Sequence, residues 1–229
     1  MHGPPVHAAP CGPRPSAGGA SPADLRDLSK RSPRWTVIVD TMTMTTPAAH
    51  GGLTMEAAKA LAVRSMQIMA TGSRAEFDEV VHPDAVNREG KDEPPESRGR
   101  GPAAFYATAL WLREWFADLA FEVHEVVAEG DLVVVHNTMS GRQHGPAVIY
   151  GPDGRVAQAM PATGRTFATT QTHWLRLRDG MVIEHWANRD DQGTAMQLGW
   201  VPPTPWFLIK ALTATRRARR RETTRPPYA

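Results

Sequence analysis

Near residue 120 the spacing of apolar side chains changes from a helical period to an alternating one, and it does not change back. Helices first and strands afterwards predict an α+β domain, a sheet with helices packed on one face. Thr54 is placed to cap a helix over Met55–Ala70. Leu61, Met66 and Met69, with Ala58, Ala62 and Ile68, give that helix an apolar face, and Gly72 ends it. Ser73-x-x-Glu76 has capping-box spacing and opens a short helix through Val81. Pro83 is read as its stop. Residues 88–100 read as a charged loop. Gly101-Pro102 opens a third helix that runs to about Ala117 and is made apolar by Leu110, Trp111, Leu112, Trp115 and Phe116. Strands are expected at Phe121–Ala128 and Leu132–Gly141, in a hairpin over 146–159, and at Phe167–Arg178 and Met181–Arg189.

The last hairpin has two registers. A two-residue turn at Asp179-Gly180 pairs Leu175 with Glu184 and mixes polar and apolar residues on both faces. A three-residue loop, Arg178-Asp179-Gly180, pairs Leu175 with Ile183, His173 with His185 and Gln171 with Ala187. The second sorts the faces better and is preferred, because a one-residue slip would scramble them. It places two imidazoles and an amide at the deep end of an apolar concave face, the composition of a small-molecule pocket. Trp174, Trp186 and Thr172 fall on the outward face.

Net charge divides the chain. Residues 1–54 hold five basic and three acidic side chains, and residues 211–229 hold six and one. The segment between them holds 15 basic and 20 acidic groups. An acidic body excludes a basic nucleic-acid-binding core, leaving only the arginine run Arg216–Arg221 for weak contact with RNA or an anionic surface. Residues 1–54 contain eight of the 20 prolines and six of the 19 glycines. They are expected to be disordered apart from an extended piece at Trp35–Val39, and residues 209–229 form an expected Arg-rich disordered tail. The domain is therefore assigned to 55–208. Met42, Met44 and Met55 stand as alternative start positions. The first residues lack the apolar stretch of a secretory signal, and no apolar run reaches the roughly 20 residues of a membrane span. The single Cys11 offers neither a disulfide framework nor a cysteine metal site. A cytoplasmic protein is the simplest expectation.

No phosphate-binding glycine loop, nucleophile elbow or HExxH is present. The candidates form a constellation: His173, His185, Gln171, Asp190-Asp191, and His82-Pro83-Asp84 with Asn87. Each has a plainer alternative. The histidines read as a catalytic or ligand-orienting pair, as hydrogen-bonded core residues, or as two metal ligands without a third. Asp190-Asp191 also reads as a turn cap, and His82-Pro83-Asp84 as a helix stop.

Several pieces together resemble the SnoaL-like polyketide cyclases (ester cyclases) of the nuclear transport factor 2-like superfamily. They are His82-Pro83-Asp84 with Asn87, Gly141-Arg142-x-x-Gly145, and Met160-Pro161-x-Thr163-x-Arg165-x-Phe167. Gln171-x-His173, Asp179-Gly180, His185, Asp190-x-Gln192-Gly193 and Gln197-Leu198-Gly199 complete the match over roughly residues 55–200. The resemblance implies a cone: a curved, mostly antiparallel sheet around a pocket, closed by the N-terminal helices. It implies a homodimer through the outer sheet face, no metal or organic cofactor, and a small hydrophobic carbonyl compound as ligand. It implies intramolecular aldol ring closure of a polyketide ester, with Gln171, His173 and Asn87 at family pocket positions; Trp111 is a further expected pocket residue. The family's acid/base aspartate falls at Ala187, which has no proton to give. On this reading His173 and His185 replace it, Asp190 holds a histidine tautomer, and Ala187 is a pocket wall. The insertion at 146–159 lengthens a hairpin at the pocket rim. The expected chemistry is proton transfer on a small apolar carbonyl compound, as aldol cyclisation, isomerisation or hydration; a non-catalytic binding protein of the same fold is the alternative.

Overall fold

The computed structural model describes residues 53–223; the disorder expected before residue 53 and after residue 223 lies outside them. The helical half contains α1 (Met55–Thr71), α2 (Arg74–Val80) and α3 (Gly101–Trp115). Thr54 caps α1 by accepting from the Ala57 N–H, Gly72 closes it, and the Ser73–Glu76 capping box of α2 is formed in both directions. Gly101, at φ +74°, turns the chain into α3 where a Cβ would strike the Pro83 carbonyl.

Between α2 and α3 the structure differs from the sequence reading. Residues 81–87 are not merely a helix stop: β1 (Val81–Asn87) is a strand that pairs parallel with a later strand. Pro83 is tolerated because β1 lies at the edge of the sheet. Residues 88–100 follow as two short 3-10 turns, Gly90–Asp92 and Pro95–Arg98.

The strand half contains β2 (Phe116–Glu129), β3 (Leu132–Gln143), β4 (Ala147–Tyr150), β5 (Val156–Met160), β6 (Thr166–Arg178) and β7 (Met181–Arg189). The main sheet runs β1-β7-β6-β3-β2, antiparallel except for the β1–β7 pair, and β4–β5 form a separate hairpin. Irregular registers in β2 against β3 and in β6 against β7 bend it. The inward residues of β3, β6 and β7 pack under α1–α3. Val133, Val135, Leu175, Leu177 and Val182 form one core with Ala58, Ala62, Phe77 and Phe105. A second core gathers Trp111, Trp115, Phe116, Met139, Tyr150 and Phe167. The fold is therefore α+β, with a curved, mostly antiparallel sheet.

The β6–β7 hairpin follows neither register as written. Asp179 and Gly180 both have positive φ, 51° and 74°, and form the two-residue turn set aside above. Arg178 pairs with Met181 and Leu177 with Val182. An extra residue then enters β7, so that Val182 and Ile183 are both buried. Beyond it Leu175 pairs with His185, Trp174 with Trp186 and His173 with Ala187. The bulge restores the face parity of the preferred register while shifting its partners by two residues.

The expected Arg-rich tail is, as far as Glu222, a helix. After α4 (Asp191–Gln197), α5 (Pro205–Glu222) packs on β5. It supplies the hydrogen bonds that the open edge of β5 lacks. Thr215 Oγ1 accepts from the Ala159 N–H, Glu222 Oε1 accepts from the Val156 N–H, and Arg219 donates to the carbonyls of Val156 and Ala157. Of the described helices, none is long and apolar enough to cross a membrane.

Candidate functional site

The space between the concave sheet face and α1–α3 is a cavity with about 90 Å³ of free volume. Met66, Met69, Phe77, Phe105, Trp111, Phe121 and Met139 make most of its wall. Its polar lining is Ser65, Asn87, Glu89, Glu93, Thr108, Gln171, His173, His185 and Arg189.

Each polar group is delivered by a different local cause. The alternation of β6 turns Gln171 and His173 inward, the bulge in β7 turns His185 inward, and β1 ends on Asn87. These four form one chain. His173 Nε2 is 2.9 Å from Gln171 Oε1, and His173 Nδ1 is 2.9 Å from His185 Nε2. His185 Nδ1 is 2.9 Å from Asn87 Oδ1. All four ring nitrogens are engaged in this chain. The rings stack with centroids 5.2 Å apart.

The protons along this chain can be counted. Asn87 Oδ1 accepts from the Glu89 N–H at 3.1 Å, and Asn87 Nδ2 donates to Glu93 Oε1 at 3.4 Å, which fixes the amide. His185 Nδ1 must then carry hydrogen, leaving Nε2 to accept from His173 Nδ1. With both rings neutral, His173 Nε2 is an acceptor and needs the Gln171 amide nitrogen. Turning the Gln171 amide over exchanges Oε1 for Nε2 at that place; otherwise the pair must hold one extra proton. Burial favours the neutral arrangement. It lowers His173 well below the ordinary histidine value, with His185 and Arg189 adding to the effect, and it brings His185 to about 4, helped by Arg189.

Two carboxyls stand beside this chain. Glu89 Oε1 accepts from the Ala187 N–H at 3.2 Å, and its other oxygen lies 3.8 Å from Arg189. Glu93 is 3 % exposed. Thr108 Oγ1 is 2.5 Å from Glu93 Oε2. Burial pushes the Glu93 carboxyl up, against the opposing pull of Thr108, Arg189 and Asn87.

The structure brings together His173, His185, Gln171, Asn87 and Trp111, whose indole N–H donates to the Val148 carbonyl at 2.8 Å. It does not bring Asp190. That side chain caps α4 by accepting from the Gly193 N–H at 2.7 Å, so the turn-cap reading is the observed one and the tautomer-holding role is corrected. Ala187 pairs with His173 across the sheet, but it presents its backbone N–H to Glu89 rather than forming cavity wall. Glu89, Glu93, Thr108 and Arg189 are cavity residues that sequence reasoning missed. The available signal was position: residues 88–100 join Asn87 to the helix that carries Trp111.

The profile of the SnoaL-like polyketide cyclase family matches residues 60–198. The chain is 34% identical over 143 residues to the aklanonic acid methyl ester cyclase DnrD of Streptomyces peucetius, covering 62% of this chain and 90% of that one. It is 31% identical over 137 residues to the nogalonic acid methyl ester cyclase of Streptomyces nogalater, covering 59% and 90%. Among solved structures, TsrD from Streptomyces laurentii superposes with a TM-score of 0.51 at 26% identity, over 64% of this chain and 98% of that one. With a matching profile over more than half its length, and a cavity between helices and a curved sheet, the chain belongs to the SnoaL-like polyketide cyclase family.

Proposed function

We propose that the protein closes a ring in a polyketide-type ester by intramolecular aldol condensation. The observation that carries this reading is the continuous polar chain Asn87–His185–His173–Gln171 set into an otherwise apolar cavity. Apolar walls suit a flat, fused-ring carbonyl compound, and a few convergent donors suit its oxygens. The methyl ester cyclase relatives make such an ester the first candidate substrate. Burial makes these two imidazoles poor proton acceptors, and their N–H groups are engaged within the chain, so in this reading they shape the polar wall rather than move the proton. Their role in this reading is to hold the substrate folded, with the nucleophilic carbon against the carbonyl it attacks. Entry of a ring system requires Met66, Met69 and Met139 to swing aside, which flexible thioether side chains do at low cost. The protein works in this reading as a homodimer joined through the outer sheet face, where Trp174 and Trp186 stack 6.1 Å apart.

The test is incubation with aklanonic acid methyl ester and, separately, nogalonic acid methyl ester. A product of unchanged mass and shifted retention is expected, and His173→Ala is expected to abolish it while circular dichroism stays native. Wild-type turnover in His173→Ala would remove the histidine from the reaction.

Ala187 favours a second reading, a binding protein that retains the cavity without chemistry. It expects saturable binding of the same esters with no product, and cyclisation only in Ala187→Asp.

A further inference from the structure

We propose that the proton-transfer pair of this pocket is Glu89 as base and Glu93 as acid, both supplied by the 88–100 segment rather than by the sheet. The proposal deepens the cyclase reading and rests on it.

Three observations converge. The first is placement. Both carboxyls line the cavity, and Glu89 reaches the backbone N–H of Ala187 at 3.2 Å, on the strand position directly across from His173. The second is the opposite setting of the two groups. The Glu89 side chain keeps 23 % exposure, in contact with water, and faces Arg189 at 3.8 Å. Glu93 is almost wholly enclosed.

The third is a hydrogen count around Thr108. Its hydroxyl has one hydrogen and two neighbouring acceptors, Glu93 Oε2 at 2.5 Å and the Ala104 carbonyl at 3.3 Å. An ionised Glu93 leaves one of those acceptor contacts without hydrogen. A protonated Glu93 donates to Thr108, and Thr108 then donates to Ala104. Burial acts in the same direction. The charged and titratable groups around Glu93 are Arg189 on β7, Glu89, His185 through Asn87, and Arg98, whose guanidinium holds the Glu93 backbone carbonyl at 2.9 and 3.1 Å. A carboxyl open to water beside an enclosed one is how one pocket presents a base and an acid together.

The step balances within the substrate. Glu89 carboxylate takes a proton from the methylene between two carbonyls, and the C–H electron pair becomes an enolate. The enolate carbon forms a C–C bond to a ketone carbon of the same molecule, and the broken C=O π pair moves to that oxygen. Glu93 gives the oxygen its proton. The proton on Glu89 and the vacancy on Glu93 then re-equilibrate through water at the exposed edge of Glu89, so the product is an isomer of the substrate.

Glu89→Gln and Glu93→Gln, made in the full chain and assayed with aklanonic acid methyl ester and nogalonic acid methyl ester, test the pair. Each is expected to lower kcat by about 10²–10⁴ with KM little changed. Glu89→Gln should lose the acid-side limb of the kcat profile, and Glu93→Gln the alkaline-side limb. Infrared spectra of the wild type at pH 7 should contain a protonated-carboxyl band that vanishes in Glu93→Gln. That band is read without substrate and reports the Glu93 proton independently of turnover, while the loss of the alkaline limb in Glu93→Gln reports its use in the reaction. Its absence from the wild type overturns the acid assignment. Wild-type turnover that survives both substitutions overturns the pair and leaves the cyclase reading standing. No turnover by the wild type overturns the cyclase reading itself, and the catalytic roles with it.

Discussion

His185 is built into the pocket as an uncharged group, and this gives the protein an acid weakness of known sign. Its value falls on folding from the ordinary 6.5 to about 4, first because burial disfavours the imidazolium and then because Arg189 repels it. The folded state therefore binds fewer protons than the unfolded one between those limits. Its contribution is complete above pH 6.5 and is lost as the pH falls toward 4, a difference of about 3 kcal/mol. Glu93 has the opposite sign. Its carboxyl is raised in the folded state, so its stabilisation is present below the ordinary carboxylate value and is lost as the pH rises through the folded one. Urea unfolding at pH 7 and pH 4.5 should show the wild type weakened at the lower pH. Glu93→Gln should be weakened more steeply by acid, because its compensating group is gone; an identical slope in both proteins would contradict the assignment. Thr108→Val is the companion test. It removes the hydroxyl that bonds the Glu93 carboxyl, and should cost about 1–3 kcal/mol of stability, read by urea unfolding at pH 7. At this scale the sequence was legible where side chains sat on regular strands. His173 and Gln171 follow from alternation alone. Glu93 did not, because a glutamate in a charged loop is ordinarily solvated, and its burial comes with tertiary partners such as Thr108, 15 residues on.

Among the elements, those with a sustained period were readable and those defined by a partner were not. The capping of α1 and α2 and the strands β3, β6 and β7 follow from local pattern. Strand β1 carries a proline and three polar residues in seven, and it exists as a strand because β7 lies beside it. The β7 bulge is similar: Asp179-Gly180 dictates the tight turn, while burial of both Val182 and Ile183 needs the helices overhead. Helix α5 is the clearest case. A run such as Arg216–Arg221 looks like a solvated tail until Arg219, Thr215 and Glu222 are seen to meet the backbone of β5. Two amides of β5, Val156 and Ala159, depend on side chains of α5 for their hydrogen bonds. Amide hydrogen exchange should therefore accelerate tenfold or more at Val156 in Glu222→Ala and at Ala159 in Thr215→Val, while β6 amides keep their protection. Unchanged exchange at both sites would mean that α5 does not hold the hairpin in solution.

In the whole molecule, two apolar surfaces among the described residues bear on the proposed homodimer. On the outer sheet face Trp174 and Trp186 lie nearly parallel, with an interplanar angle of 6°. Asn188 accepts from the Trp174 indole N–H at 3.1 Å, and the Arg88 guanidinium sits 5.4 Å over the Trp186 ring. Arg88 also pairs with Glu184, which in turn meets Arg176 and through it Asp131. This is a rigid aromatic plate bordered by paired charges, and it loses little side-chain freedom when a second copy covers it. The other surface is the first half of α5, where Trp206, Leu208, Ile209 and Leu212 are at least half exposed. Arginines 216, 217 and 220 follow it directly, and two such helices brought together would set like charges side by side. Self-association should therefore use the sheet. Sedimentation of the full chain at micromolar concentration should give twice the chain mass. Trp174→Glu places a carboxylate in the centre of the plate and should give a monomer with an intact circular dichroism spectrum. Leu212→Glu should leave the dimer unchanged. A dimer that survives Trp174→Glu and dissociates in Leu212→Glu would move the interface to α5. The cavity opens on the concave side, so a monomeric Trp174→Glu protein should still bind the methyl esters, with any loss confined to kcat through loosening of the β6–β7 pair that holds His173 and His185.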